Sequence, residues 1–193
     1  MLDLVECFPP FHKTTRILTK EPKGGRMSTA TRPRQTLALV ISLIVPFVIG
    51  GLGALSTAGN VDGWYAEAIK APWTPPNWVF GPVWTVLYVF LGLSFWLAWR
   101  EPASRARTLG IRLFLVQLAL NAIWTPIFFS GYPTWGASAF WQGALIIVAM
   151  DVITWLTIVQ FKRVNITAAR LLIPYEAWLW IATSLNIYLW LAN

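Results

Sequence analysis

The sequence predicts an all-α membrane protein, a bundle of five transmembrane helices. Three observations carry that expectation. Of the 193 residues 56% are hydrophobic and only 12% charged, against about a quarter charged in a soluble domain. Five apolar stretches follow residue 36, each near the ~20 residues an α-helix needs to cross ~30 Å of hydrocarbon. None of them alternates as barrel strands do, whereas a helix satisfies its own backbone in lipid.

The elements follow in order. Residues 1–36 are polar and basic and carry Pro9, Pro10, Pro22, Gly24, Gly25 and Pro33. They hold no apolar run long enough for a signal-peptide core, so they read as a disordered tail. Met27 opens MSTATRPRQTLALV, which would itself serve as a start just ahead of a span. The membrane domain then occupies residues 37–193. Its first span runs from about Leu37 to Ala58, with Pro46 inside it. The small residues Gly50, Gly51, Gly53, Ala54 and Ala58 in that span permit close helix contact, either within the bundle or at a homodimer seam. The other spans cover about Trp78–Trp99, Ile111–Ser130, Thr134–Phe161 and Ala168–Leu191.

Between the first two spans lies WYAEAIKAPWTPPNWVFGPVW, residues 64–84. WYAEAIK can form a short amphipathic helix, with Trp64, Ala68 and Ile69 grouped and Glu67 and Lys70 available to water. Pro72, Pro75 and Pro76 forbid its continuation and extend the residues before them. The next helix resumes near Asn77 or Trp78, and Pro82 is tolerated in its first turns, where N–H groups lack partners anyway. The expected result is a stiff, aromatic lid over one mouth of the bundle.

Charge sets the orientation. Seven of the fifteen Lys and Arg lie in the tail, four (Arg100, Arg105, Arg107, Arg112) near the second loop, and three (Lys162, Arg163, Arg170) near the fourth. Only Lys70 is in the first loop. Five spans therefore gather fourteen of the fifteen on one face, which the positive-inside rule puts in the cytoplasm, with the C-terminal end outside. Topology thus accounts for the net charge of +7, and no nucleic-acid partner is expected. The single cysteine, Cys7, and the single histidine, His12, both sit in the tail. That excludes an intramolecular disulfide and argues against a Cys/His metal site or a histidine-based triad.

The thirteen tryptophans have two readings. A belt at headgroup depth suits Trp78, Trp96, Trp99, Trp135 and Trp190. It suits Trp84, Trp124 and Trp178 less well, because these lie a turn or more inside their helices. An aromatic-lined pocket for a flat apolar ligand suits those three better. Two acids also fall inside spans. Asp151 is expected to hydrogen-bond Thr154 or a neighbouring helix, and Glu176 to snorkel to the interface, against the alternative of a proton or substrate path.

The segment WYAEAIKAPWTPPNWVFGPVWTVLY (64–88), together with QLALNAIWTPIFF (117–129) and AARLLIPYEAWLWIATSLNIYLW (168–190), resembles the motifs of the tryptophan-rich sensory protein or translocator protein family, in the same order. The resemblance covers about residues 37–193. It implies a five-helix bundle, usually a homodimer, with a pocket opening towards the first loop. It also implies porphyrin-type ligands such as protoporphyrin IX or haem, with no obligatory cofactor. By motif, the implied ligand-binding positions are Trp64, Tyr65, Trp84, Asn121, Trp124, Trp178 and Ala182. No metal site and no catalytic residue is assigned, although in photo-oxidative porphyrin breakdown Trp84 and Trp178 would face the macrocycle. Two departures stand out. Lys70-Ala71-Pro72 replaces the usual Lys-Pro, and no basic residue follows Tyr188. The second departure argues against the sterol binding of animal members.

Three function classes follow: a tetrapyrrole-binding sensor or regulator, a transporter of such compounds, and a light-dependent porphyrin-degrading enzyme. The first is favoured by the tryptophans and the resemblance together. The second is disfavoured because five spans do not divide into inverted halves.

Overall fold

The computed structural model describes residues 32–193. Residues 1–31 of the expected disordered tail, with Met27, Cys7 and His12, fall outside the described residues. Helix α1 spans Arg32–Thr57, α2 Trp64–Glu67, α3 Asn77–Trp99 and α4 Arg105–Thr125, which runs on into a π turn at Pro126–Ser130. Then come α5 (Tyr132–Trp135), α6 (Ser138–Lys162) and α7 (Ile166–Ala192). Among the described residues there is no strand. The all-helical expectation holds.

Four of the long helices, α1, α3, α4 with its π turn, and α6, are long and apolar enough to cross a membrane. Helix α7 has 27 residues, about 40 Å at ~1.5 Å rise per residue. Arg170, Pro174, Glu176 and Asn186 dilute its apolar character.

Boundaries differ from the expectation in three places, each for a local reason. Helix α1 already begins at Arg32, so residues 32–36 belong to a helix rather than to the tail. The fourth span, expected from about Thr134, begins at Ser138, because Gly136 takes φ 58°, a conformation that side chains disfavour, and sets α5 apart from it. The short amphipathic helix stops at Glu67. Ala68 is already extended, and Ile69 is exposed rather than grouped with Trp64.

Helix starts follow their caps. The Ser104 hydroxyl accepts from Arg107 N, and the Asn165 amide oxygen accepts from Ala168 N, so each start satisfies one orphan N–H. Pro76 precedes α3 and fixes the chain's entry. Packing is tight where residues are small. A Cβ on Gly92 would stand 2.6 Å from Ser42 O, which shows how closely α1 and α3 approach. Ser94 Oγ donates to Ala168 O at 2.7 Å and ties α3 to α7. The core gathers Leu91, Phe114, Leu118, Ile147, Tyr175 and Leu179, held chiefly by close van der Waals contact since lipid is equally apolar.

The bundle has two distinct ends. At one, Asn165 Nδ2 donates to Glu101 Oε1 at 2.7 Å, joining the α3–α4 and α6–α7 connections. At the other, the Asn193 side chain pairs with both backbone groups of Ile69, and Ser130 Oγ donates to Ser56 O. The proline-rich lid therefore lies at the end away from the arginine-bearing loops.

Candidate functional site

Beneath that lid the helices leave a cavity of about 670 Å³, lined from α1, α3, α4, α6 and α7 and by Tyr65. Of the seven positions implied by sequence, Tyr65, Trp84, Asn121, Trp124, Trp178 and Ala182 line it. Trp64 does not. Its ring stacks on Tyr132 at 4.2 Å and 27°, and its Nε1 donates to Phe129 O at 3.0 Å. Trp64 thus anchors α2 to the π turn, behind Tyr65.

Helix periodicity places the liners. Trp84 and Tyr88, four apart on α3, share a face and stack at 5.3 Å and 30°. Asn121 and Trp124 are three apart on α4, while Trp178, Ala182, Leu185 and Asn186 form one stripe of α7. The rings also brace one another: Trp178 meets Phe80 edge-on at 5.6 Å, and Trp124 stacks on Phe128 at 5.1 Å. Such pairs are worth ~0.5–1.5 kcal/mol each beyond area burial. Tyr88, Phe80 and Asn186 were not singled out from the sequence. For Tyr88 and Asn186 a signal was present, since they continue the stripes begun by Trp84 and Trp178.

The polar groups of the wall are few and mostly spoken for. Asn121 Nδ2 donates to Tyr175 Oη at 3.0 Å. Trp124 Nε1 donates to Asn186 Oδ1 at 3.3 Å, and Asn186 Nδ2 to Phe140 O. Trp178 Nε1 is the exception, a buried donor with no partner. An unpaired buried N–H costs ~1–3 kcal/mol. The lining has one charged side chain, Asp62. Over Tyr65 the Lys70 ammonium stands 4.9 Å from the ring centroid, and burial raises the Tyr65 phenol above its usual range. That wall can hold a large apolar ring system and satisfy a few hydrogen bonds. It offers no nucleophile–base pair.

Space is set on α1. A Cβ on Gly50 would fall 2.1 Å from Tyr88 Cε2, and one on Gly53 3.2 Å from Thr125 Oγ1. These two glycines pack within the bundle, whereas Gly51 faces open space.

Asp151 and Glu176 lie apart from the cavity wall. Asp151 Oδ2 accepts from Thr183 Oγ1 on α7 at 2.8 Å, the neighbouring-helix alternative rather than Thr154. Glu176 does not snorkel. It is 3% exposed and accepts from Trp180 Nε1, one turn on, at 3.0 Å. The packed α6–α7 interface leaves that side chain no route to the headgroups.

The belt tryptophans separate from the cavity set. Trp78, Trp99, Trp135 and Trp190 are exposed on the bundle surface, while Trp84, Trp124 and Trp178 are half-buried; Trp96, also expected in the belt, is half-buried too, its Nε1 donating to Gln35 O.

Comparison with known proteins gives one consistent result. Residues 42–191 match the profile of the TspO/MBR family. The chain is 37% identical over 160 residues to the tryptophan-rich protein TspO of Archaeoglobus fulgidus, covering 81% of this chain and 97% of that one. It is 38% identical over 144 residues to the translocator protein of Homo sapiens, covering 74% and 82%. It is 30% identical over 141 residues to the tryptophan-rich sensory protein of Cereibacter sphaeroides, covering 72% and 84%.

Proposed function

This chain belongs to the TspO/MBR family and is an integral membrane protein, and on that premise we propose that it binds a tetrapyrrole, a porphyrin or haem, in the cavity under its first loop and acts as a sensory or regulatory protein. The observation that carries the reading is the wall itself. Trp84, Trp124 and Trp178 surround a cavity of about 670 Å³, within the ~300–1,000 Å³ usual for small-molecule sites. A porphyrin offers two broad π faces and an apolar edge, which indoles match with little rotamer entropy to lose. The second amide N–H of Asn121, whose Nδ2 also donates to Tyr175 Oη, is the donor available for a propionate. Residues 32–193 contain no histidine, so binding does not depend on a histidine–iron bond, and free-base porphyrin binds at least as well as haem. The names of the relatives above, sensory and translocator, suit a ligand-responsive membrane protein.

The rest of the reading is topological. All five long helices span the bilayer, the arginine-bearing loops face the cytoplasm and Asn193 faces outside, as the charge distribution demands. The working unit is a homodimer.

Absorption titration with protoporphyrin IX tests the site. Trp84→Ala and Trp178→Ala are expected to weaken binding by about tenfold or more, and Trp190→Ala, on the outer surface, to leave it within about twofold. Equal losses in all three would overturn the assignment. One observation favours a second reading, that both Trp84 and Trp178 line the same cavity, as photo-oxidative breakdown would need. Illumination of the bound pigment decides it: a product lost in Trp84→Phe and Trp178→Phe marks an enzyme, and unchanged pigment a binder. Porphyrin flux into liposomes would mark a transporter.

A further inference from the structure

At the end of the bundle opposite the lid, a second, smaller cavity of about 310 Å³ opens between the start of α1, the end of α3 and the start of α4. Arg34, Arg100 and Arg107 line it, with Gln35, Trp99 and Glu101. Three guanidiniums face one carboxylate. Among the described residues none of the three arginines is in an ion pair, and Glu101 is engaged instead by the Asn165 amide. Three like charges around one small space repel unless an anion sits between them.

Two of the guanidiniums are already fixed. Arg107 donates from both Nε and Nη2 to Trp99 O, the last carbonyl of α3, leaving its Nη1 N–H groups free. The Arg100 guanidinium lies 4.7 Å from the centroid of the Trp96 ring, held by a cation–π contact. Arginines pre-set in this way lose little entropy on binding, and their planar fork matches phosphate oxygens.

The surroundings say which phosphate. Trp96 Nε1 donates to Gln35 O, and the Trp99 ring is 37% exposed. Indoles at helix ends sit at headgroup depth. From Arg34 a stripe at helical spacing runs down the outside of α1 through Leu37, Ile41, Ile44 and Val48, all exposed by 51% or more. A charged head above a continuous apolar track is the shape of an amphiphile, not of a free ion.

We propose that the Arg34–Arg100–Arg107 cavity binds the phosphate headgroup of an anionic phospholipid, whose acyl chains lie along the Leu37–Val48 face of α1. The site lies at the opposite end from the tetrapyrrole cavity and does not depend on what that cavity holds.

The test is native mass spectrometry of the full chain in detergent, titrated with phosphatidylglycerol and with phosphatidylcholine of the same acyl length. The wild type should bind phosphatidylglycerol about tenfold tighter, and the Arg34→Gln/Arg100→Gln double variant should lose about that factor. Arg107 is retained in the double variant because it also bonds Trp99 O. Arg163→Gln, on the same end but outside the cavity, should keep the preference within about twofold. A melting temperature for each variant confirms that it is folded. Three outcomes overturn the proposal. The wild type could show no preference, Arg163→Gln could lose as much as the double variant, which would mark diffuse charge, or inorganic phosphate could displace the lipid at equal concentration, which would mark a free-anion site.

Discussion

At the scale of the residue, Trp64 and Tyr65 are the instructive pair. They are adjacent on one helical turn, so their side chains diverge by ~100°, and here only Tyr65 reaches the cavity wall. The motif alone put both at the ligand; the turn geometry gives Tyr65 to the cavity and Trp64 to the Phe128–Tyr132–Phe140 cluster. Trp64→Ala should therefore act mainly on the fold, at a cost of about 2–3 kcal/mol. A clear fall in thermal stability with Trp64→Ala, and a smaller fall with Trp84→Ala, is expected from fluorescence-monitored melting; the reverse order would contradict these roles. The acids make a similar point. Asp151 accepts from Thr183 and Glu176 from Trp180, each through one carboxylate oxygen. Asp151→Asn and Glu176→Gln each retain that acceptor, so both should melt within about 1 kcal/mol of the wild type. A large loss in either would mean that the charge itself is needed. Sequence could identify two acids at membrane depth, but not that each has a donor already waiting for it.

Among the elements, the first loop shows best what was legible and what was not. Its prolines forbid a helix, and the structure has none from Ala68 to Pro76. How the loop is held down could not be read, because the partners are far along the chain. Asn193 offers Oδ1 to Ile69 N and donates Nδ2 to Ile69 O, the pairing one strand would give another. Trp73 Nε1 donates to Ser184 Oγ, and its ring meets Tyr188 edge-on at 5.4 Å. All three partners lie on or just after the last turns of α7. Each hydrogen bond is worth ~0.5–1.5 kcal/mol, enough together to hold a lid without locking it. Asn193→Ala is expected to speed porphyrin release by about five- to tenfold, with the bound spectrum unchanged. Stopped-flow displacement would measure it, and a rate equal to that of the wild type would show that the loop does not gate the site. The later start of the fourth span follows the same logic in reverse: the turn residues Gly131, Pro133 and Gly136 are visible in the sequence, but the hydrophobic run around them masks the boundary.

For the whole molecule, the charge census and the apolar runs were enough to assign the class and the grouping of loops at each end. The aromatic liners of the cavity were legible, but not its volume or its full wall, because it exists only where five helices from distant parts of the chain fail to fill the space between them. Orientation is open to direct measurement. With Cys7 replaced by Ser, Glu67→Cys should react with a membrane-impermeant maleimide added to intact cells, while Ala103→Cys should react only after lysis. The opposite pattern would invert the topology.

Gly50 gives the molecule a simple means of changing its diet. Tyr88 lies against α1 only because residue 50 has no side chain. One methyl group there would push the phenol ring away from α1, against the Trp84 ring on which it stacks, and narrow the chamber from its α3 side. A single-codon change could therefore exclude bulky guests while leaving Trp124 and Trp178 in place. Close homologues that differ at this position would differ in appetite rather than in fold.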